Sequence, residues 1–247
     1  MKKSNIKKYL PIFGLMLILG ICIAFGLNTG NSEETDLSGY ENSKENNIIA
    51  NEEIILSKSN EADLAVDYSN IKNLVNESQI IAIVKIESEE GKNYNPVRKE
   101  YVPVYTTGTL KIEEIIQNNS DVLIAQNETI EYVRLGGKIT FSEYLKRVSE
   151  SERNKLVQNI SSKTKLTTEQ MAVKLVKDIF VGDIEIEQGK EYLVFLNYTK
   201  DYGKYNILGF EYGLREYDSE TMSIRNNKTN NFESINQLKN SIMNIEK

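Results

Sequence analysis

Short apolar runs recur along the chain with the two-residue period of strands, and the period lengthens to that of helices in only a few places. The densest run lies in GKEYLVFLNYTKDYGKYNILGFEYGLREYD, residues 189–218. Within it Tyr192-Leu193-Val194-Phe195-Leu196 is apolar without a break. That is the pattern of a strand buried on both faces, and a buried helical turn shares it. Turn residues at Asp201-Tyr202-Gly203 and at Gly209 and Gly213 divide the stretch, which predicts a meander of three strands over 192–198, 204–210 and 212–218. Further strands are predicted at 78–86, at 102–116 with a bend near Gly108, at 129–135 closed by Gly136-Gly137, and at 179–186. Residues 89–100, which hold Gly91, Asn93, Asn95 and Pro96, read as a hairpin-like excursion.

Helical spacing appears first at Ile71, Leu74 and Val75, with Asp67 or Ser69 as the cap. It returns between 140 and 178. Thr140 to Glu143, Ser149 to Glu152 and Thr167 to Gln170 all have capping-box spacing. Phe141, Tyr144, Leu145 and Val148 fall on one helical face. Two or three short helices are therefore expected as an insert between strands, a lid or cap over one mouth of the sheet. Phe232, Ile235, Leu238 and Ile242 predict a last amphipathic helix within 226–247.

Before the folded part, Lys2, Lys3, Lys7 and Lys8 precede an apolar run over 9–27, and Glu33, Glu34 and Asp36 follow it. A run of about 19 residues is at the short end of what spans a bilayer, and the lysine bias puts everything after it outside the cell. Retention as a single-pass anchor is one outcome. Cleavage near Gly26, after Ala24-Phe25-Gly26, is a second. Lipidation of Cys22 is a third, although Leu19-Gly20-Ile21 lacks a small residue directly before the cysteine. Residues 28–62, rich in Asn, Ser and Glu, read as a flexible acidic spacer, and 63–225 as the domain itself.

Composition narrows the chemistry. There is no histidine, which removes the commonest general base and zinc ligand, and Cys22 is the only cysteine, so no disulfide forms within the chain. The chain has 30 Lys and Arg against 36 Asp and Glu, and the four leader lysines leave 26 against 36 after residue 27. An acidic surface repels phosphate backbones, so nucleic acid is not expected as a partner. Asp183, Glu185 and Glu187 alternate with Ile184 and Ile186. On a strand this places neighbouring carboxylates about 6.5–7 Å apart on one face, a spacing open to calcium or to glycoside hydrolysis but also that of a solvated strand face. Ser69 to Lys72 and Ser162 to Lys165 have the Ser-x-x-Lys spacing of penicillin-recognising enzymes. The partner motifs Ser-Asp-Asn and Lys-Thr-Gly are missing, and Lys228-Thr229-Asn230 departs at the glycine. Arg134 beside Gly136-Gly137 reads as a turn with a surface arginine, or as a grip for a carboxylate. Tyrosines of 189–218 serve cross-strand pairing or line a sugar or peptide groove. Asn76 and Asn127 start Asn-x-Ser/Thr sequences of compositional origin. No catalytic residue, metal ligand or cofactor follows from these patterns, and no binding residue is assigned.

The order of four stretches resembles an uncharacterised family of exported or lipid-anchored proteins of low-GC Gram-positive bacteria. They are the short helix leading into Ser78-Gln79-Ile80-Ile81-Ala82-Ile83-Val84, then Tyr105-Thr106 before Leu110-Lys111-Ile112, then Gly136-Gly137 before Phe141, and last Gly189 to Leu196 with Gly203-Lys204-Tyr205. The strand order is also similar to OB and TIMP-like domains. The resemblance implies a mainly β fold: a partly closed antiparallel barrel of five to seven strands with a helical insert and short flanking helices, behind the N-terminal transmembrane or signal helix. The expected function is that of an exported, membrane-tethered binding or interaction module of the cell envelope, facing a protein, a peptide or a cell-wall component. A carboxylate-dependent hydrolase of an envelope polymer and a purely structural envelope domain are the alternatives.

Overall fold

The structure, a computed structural model, describes residues 46–47, 53–60, 64–121 and 123–245. The apolar run over 9–27 and most of the spacer lie outside the described residues. In chain order the elements are β1 (Asn46–Asn47), β2 (Ile54–Asn60), α1 (Ile71–Glu77), β3 (Ile80–Asn95), β4 (Glu100–Asn118), β5 (Thr129–Leu135), β6 (Gly137–Thr140), α2 (Phe141–Leu145), α3 (Glu150–Thr164), α4 (Thr168–Ala172), β7 (Leu175–Phe180), β8 (Glu191–Thr199), β9 (Lys204–Ile207), β10 (Leu214–Asp218), β11 (Ser223–Arg225), β12 (Phe232–Ser234) and α5 (Ile235–Ile245). The fold is mainly β.

The two most apolar segments, β3 and β8, lie side by side and antiparallel, with Ile80 opposite Leu196 and Val84 opposite Tyr192. Period two sends Ile80, Ala82, Val84, Ile86, Tyr192, Val194 and Leu196 to one face, where they meet Leu110, Ile112, Tyr132 and Ile207. Ile81, Ile83, Leu193 and Phe195 go to the other face, under Leu74 and Val75 of α1 and Ile235 and Ile242 of α5. Burial on both faces is why these segments read as unbroken apolar runs. Each Val, Leu, Ile or Phe among them contributes about 1.5–3 kcal/mol by leaving water.

The eight-stranded sheet has the order β12-β11-β10-β8-β3-β4-β5-β9, and β9 also pairs with β8, so β8, β3, β4, β5 and β9 form a hydrogen-bonded ring of five. The expectation of an antiparallel sheet is corrected at one seam. β5 and β9 run parallel, with Tyr132 opposite Tyr205. A ring with an odd number of strands cannot alternate direction all the way round, so one parallel seam is obligatory.

The meander over 192–218 is corrected too. β9 pairs with β8 over Leu196–Thr199, while β10 pairs with it over Tyr192–Val194. The two are successive partners along one edge of β8. Between them the loop 208–213 turns out, with Phe210 at φ 46°. This frees β9 to reach β5 and β10 to reach β11.

A second sheet has the order β1-β2-β7-β6, with β2 parallel to β7. The expected spacer is therefore shorter than 28–62. Ile55 and Leu56, 2% and 1% exposed, pack with Val104, Ile139, Phe141, Tyr144 and Val176. The excursion over 89–100 is the far half of one long β3–β4 hairpin, paired from Ile80–Asn118 to Asn95–Glu100 with four shifts of register on the way. The insert holds three helices as the capping signals predict. Ser149 and Thr167 each form a complete capping box, and Thr140 caps α2 through the Glu143 N–H. The cap of α1 is Asn70, while Asp67 accepts from Ser69 one turn earlier. Within 226–247 the chain first forms strand β12, so Phe232 lies on β12 and is exposed, and among the described residues only 235–245 is helical.

Candidate functional site: a charged cavity beside the strand ring

Gly136 and Gly137 join β5 of the ring to β6 of the small sheet. Both have positive φ, 82° and 146°. A Cβ at Gly137 would stand 2.3 Å from Thr106 Oγ1, whose hydroxyl donates to Gly136 O at 2.8 Å. Across this joint, a Cβ at Gly91 of β3 would stand 1.7 Å from Lys138 O. The missing side chains thus let the small sheet lie directly on the β3–β4 hairpin.

The joint leaves a cavity of about 100 Å³. Arg134, Lys138, Lys177, Asp183, Glu185 and Glu89 line it. β5 supplies Arg134 at its end, β6 and β7 supply the lysines, and β3 supplies Glu89. Residues 183–186 cross the cavity as irregular chain, where the sequence predicts a strand over 179–186. β7 already ends at Phe180 and Gly182 turns the chain at φ 80°. The Asp-Ile-Glu-Ile-Glu alternation persists without a ladder, with Ile186 buried inside the ring.

Each of the three carboxylates is met by a cation. Asp183 and Arg134 form an ion pair whose side chains are 2% and 8% exposed, and Asp183 also accepts the Ile184 N–H at 2.9 Å. Burial pushes the Asp183 carboxyl above its usual range in spite of the guanidinium beside it. Glu185 bridges Lys138, at 2.9 Å, and Lys177. Burial alone would raise Glu185, but the hydrogen bonds from the two lysines outweigh it and hold its carboxyl below the usual range. The same pairing lifts Lys138. Glu187 lies outside the cavity and pairs with Lys190 at 2.8 Å, and its backbone N–H donates to Tyr192 Oη. Burial also raises the carboxyl of Glu89, which lines the cavity, and the charges of Lys138 and Arg134 oppose that shift only in part.

So Arg134 does grip a carboxylate, and the carboxylate is its own chain's. The structure joins Arg134, Gly136, Gly137, Asp183 and Glu185, and leaves Glu187 apart. Lys138, Lys177 and Glu89 were missed. They come from three strands in two sheets, and no spacing along the chain links them.

The Ser-x-x-Lys sequences are not brought together as dyads. The Ser69 hydroxyl donates to Asp67 at 2.5 Å, and that of Ser162 to Asn159 O at 2.8 Å. In the stretch 189–218, Tyr192 and Tyr205 are buried in the ring, and Tyr198 packs edge-on against Tyr205 with centroids 5.3 Å apart. That is cross-strand packing.

No protein-family model matches the chain, and no curated protein matches it. Among the described residues, no group of three or more acidic or cysteine side chains could hold a metal ion, and no helix is long and apolar enough to cross a membrane.

Proposed function

We propose that the protein is a binding or interaction module of the cell envelope, carried outside the cell behind a membrane-spanning segment at 9–27, and that its folded part binds rather than catalyses. The observation that carries this reading is the pairing inside the cavity. Asp183, Glu185 and Glu187, the carboxylates the hydrolase reading would use, are each held by a cation, whereas hydrolysis needs one poised to give a proton and one free to take it or attack. Cleavage near Gly26 would give the same module in secreted form. A protein, peptide or cell-wall component is the partner.

We also infer that the ring of five is a partly closed barrel of OB and TIMP type. Support comes from its order, β8-β3-β4-β5-β9, from the parallel β5–β9 seam, and from a helical insert between the third and fourth ring strands. In barrels of that type, strand faces and the loops beside them bind polymers. The family resemblance through 78–84, 105–112, 136–141 and 189–205 points to the same location.

The test uses the full-length chain reconstituted in bilayer vesicles and incubated with envelope extracts. Retention of a defined component, undiminished in Asp183→Asn and Glu185→Gln variants, supports the reading. Release of soluble fragments from an envelope polymer, lost in those variants, overturns it in favour of the hydrolase. Neither retention nor release leaves the structural role as the better account.

A further inference from the structure

The far end of the β3–β4 hairpin is closed by hydrogen bonds within its own turn, and it carries an apolar residue at its apex. Asn95 Oδ1 accepts the backbone N–H groups of Val97 and Arg98 at 2.9 and 3.1 Å, and Lys99 N donates to Asn95 O at 2.8 Å. Val97 stands out of this turn 78% exposed. Tyr94 and Tyr101 flank it on the two strands, both exposed, with ring centroids 5.3 Å apart.

The β8–β9 turn is tied to the same end. Arg98 forms an ion pair with Asp201, and Tyr202 packs on Tyr105 at 5.8 Å. Glu100 and Asp201 share the Arg98 guanidinium, and Lys204 pairs with Glu131. Lys99 and Lys200 are exposed, and among the described residues neither has an ion-pair partner. The trio of Arg98, Glu100 and Asp201 carries one negative charge and Lys99 and Lys200 two positive ones, so this end is net positive by one charge, on a chain with an excess of acidic residues.

We propose that this end docks on the surface of an anionic lipid bilayer, with Val97 entering the interface, the tyrosines at headgroup level and Lys99 and Lys200 over the lipid charges. Tyrosine, with an apolar ring and a polar tip, belongs at that depth, and basic side chains near an anionic leaflet are drawn to it. The rest of the acidic surface is repelled, which fixes the orientation. An anionic polymer would use the lysines but leave Val97 in water. A sugar chain would want a flat aromatic platform, whereas Tyr94 and Tyr101 pack edge to face, at 63°. The proposal does not depend on the segment at 9–27.

The chain has no tryptophan, so a Val97→Trp reporter can be read alone. Leu123, 96% exposed beyond the opposite end of β4, supplies a control as Leu123→Trp. The full-length protein is mixed with vesicles of phosphatidylglycerol and phosphatidylcholine whose acyl chains are brominated. The Val97→Trp emission should shift to the blue and be quenched, and the Leu123→Trp emission should not. Because the segment at 9–27 would hold the full chain on vesicles by itself, docking is read as the quenched fraction of the Val97→Trp emission, which Lys99→Glu and Lys200→Glu should each lower by about fivefold or more. Four results overturn the proposal: emission from Val97→Trp that stays that of water; equal quenching of the two reporters; equal quenching in pure phosphatidylcholine that ignores both charge reversals; or an equal blue shift with a soluble polyanion and no lipid. Because both reporter sites are exposed, circular dichroism of the variants should match the wild type.

Discussion

At the residue scale the molecule is most exposed to damage at Arg134 and Asp183. Two buried charges that hold each other cost little while paired, but a lone one is expensive. Arg134→Ala should therefore destabilise the fold by about 3–5 kcal/mol, and the double variant Arg134→Met with Asp183→Leu should recover most of it. Urea unfolding midpoints of the two proteins decide the matter; equal losses would mean that the arginine matters for packing and not for charge. Glu185 gives a second prediction, with a definite sign. Its carboxyl is held below the usual range, so the contribution of its two lysine contacts is present above the ordinary glutamate value and lost as the pH falls through the lowered one. Asp183 is shifted the other way and works in the opposite sense, but it is common to wild type and Glu185→Gln and cancels in their difference. The melting temperature of wild type should fall more steeply than that of Glu185→Gln between neutral pH and about pH 3. Parallel curves would contradict the assignment. The sequence made Arg134, the glycine pair and the acidic alternation visible as oddities. It hid that they meet, because the partner lysines lie on strands whose pairing is set far along the chain.

At the element scale, local signals were legible and non-local ones were not. The capping boxes at Ser149 and Thr167 are complete within four residues, and both formed as written. The long runs of β3 and β8 were legible because burial on both faces leaves no polar position to blur them. β2 was not, for two reasons. Its register with β7 shifts between Ile54 and Leu56, so Ile55 and Leu56 are both buried in succession and period two is broken. Its partner also lies more than a hundred residues away, beyond the reach of any periodicity. The stretch 183–187 is the converse case, where alternation without a neighbouring strand gives sidedness and no ladder. If β2 is an integral strand, Leu56→Ala should cost about 2–5 kcal/mol, read as a shift in the urea midpoint. A midpoint unchanged from wild type would return residues 54–60 to the spacer.

At the scale of the whole molecule, three apolar clusters share the chain unequally. The inside of the ring and the layer under α1 and α5 are the two faces of the same strands, β3 and β8, so neither can open without baring the other. The third cluster belongs to β2, β6, β7 and the inserted helices, and of the ring strands only β4 enters it, through Val104 on the far half of the hairpin. Stability is seldom uniform where cores are separate, and units with their own core open by themselves. Native-state hydrogen exchange should then resolve two levels of protection. The higher should cover β3, β8 and the near half of β4, and the lower β2, β6, β7, α2, α3 and α4. Leu56→Ala supplies the decisive comparison, because it weakens the third cluster alone. It should speed exchange throughout the small sheet and the insert while amides of Ile81, Ile83, Leu193 and Phe195 keep their wild-type rates under conditions where the ring opens only globally. Exchange that quickens by the same factor in β3 and β8 would mean that the glycine joint at 136–137 welds the two sheets into one cooperative unit, and the cavity it encloses would then be part of the core and not a seam between two bodies.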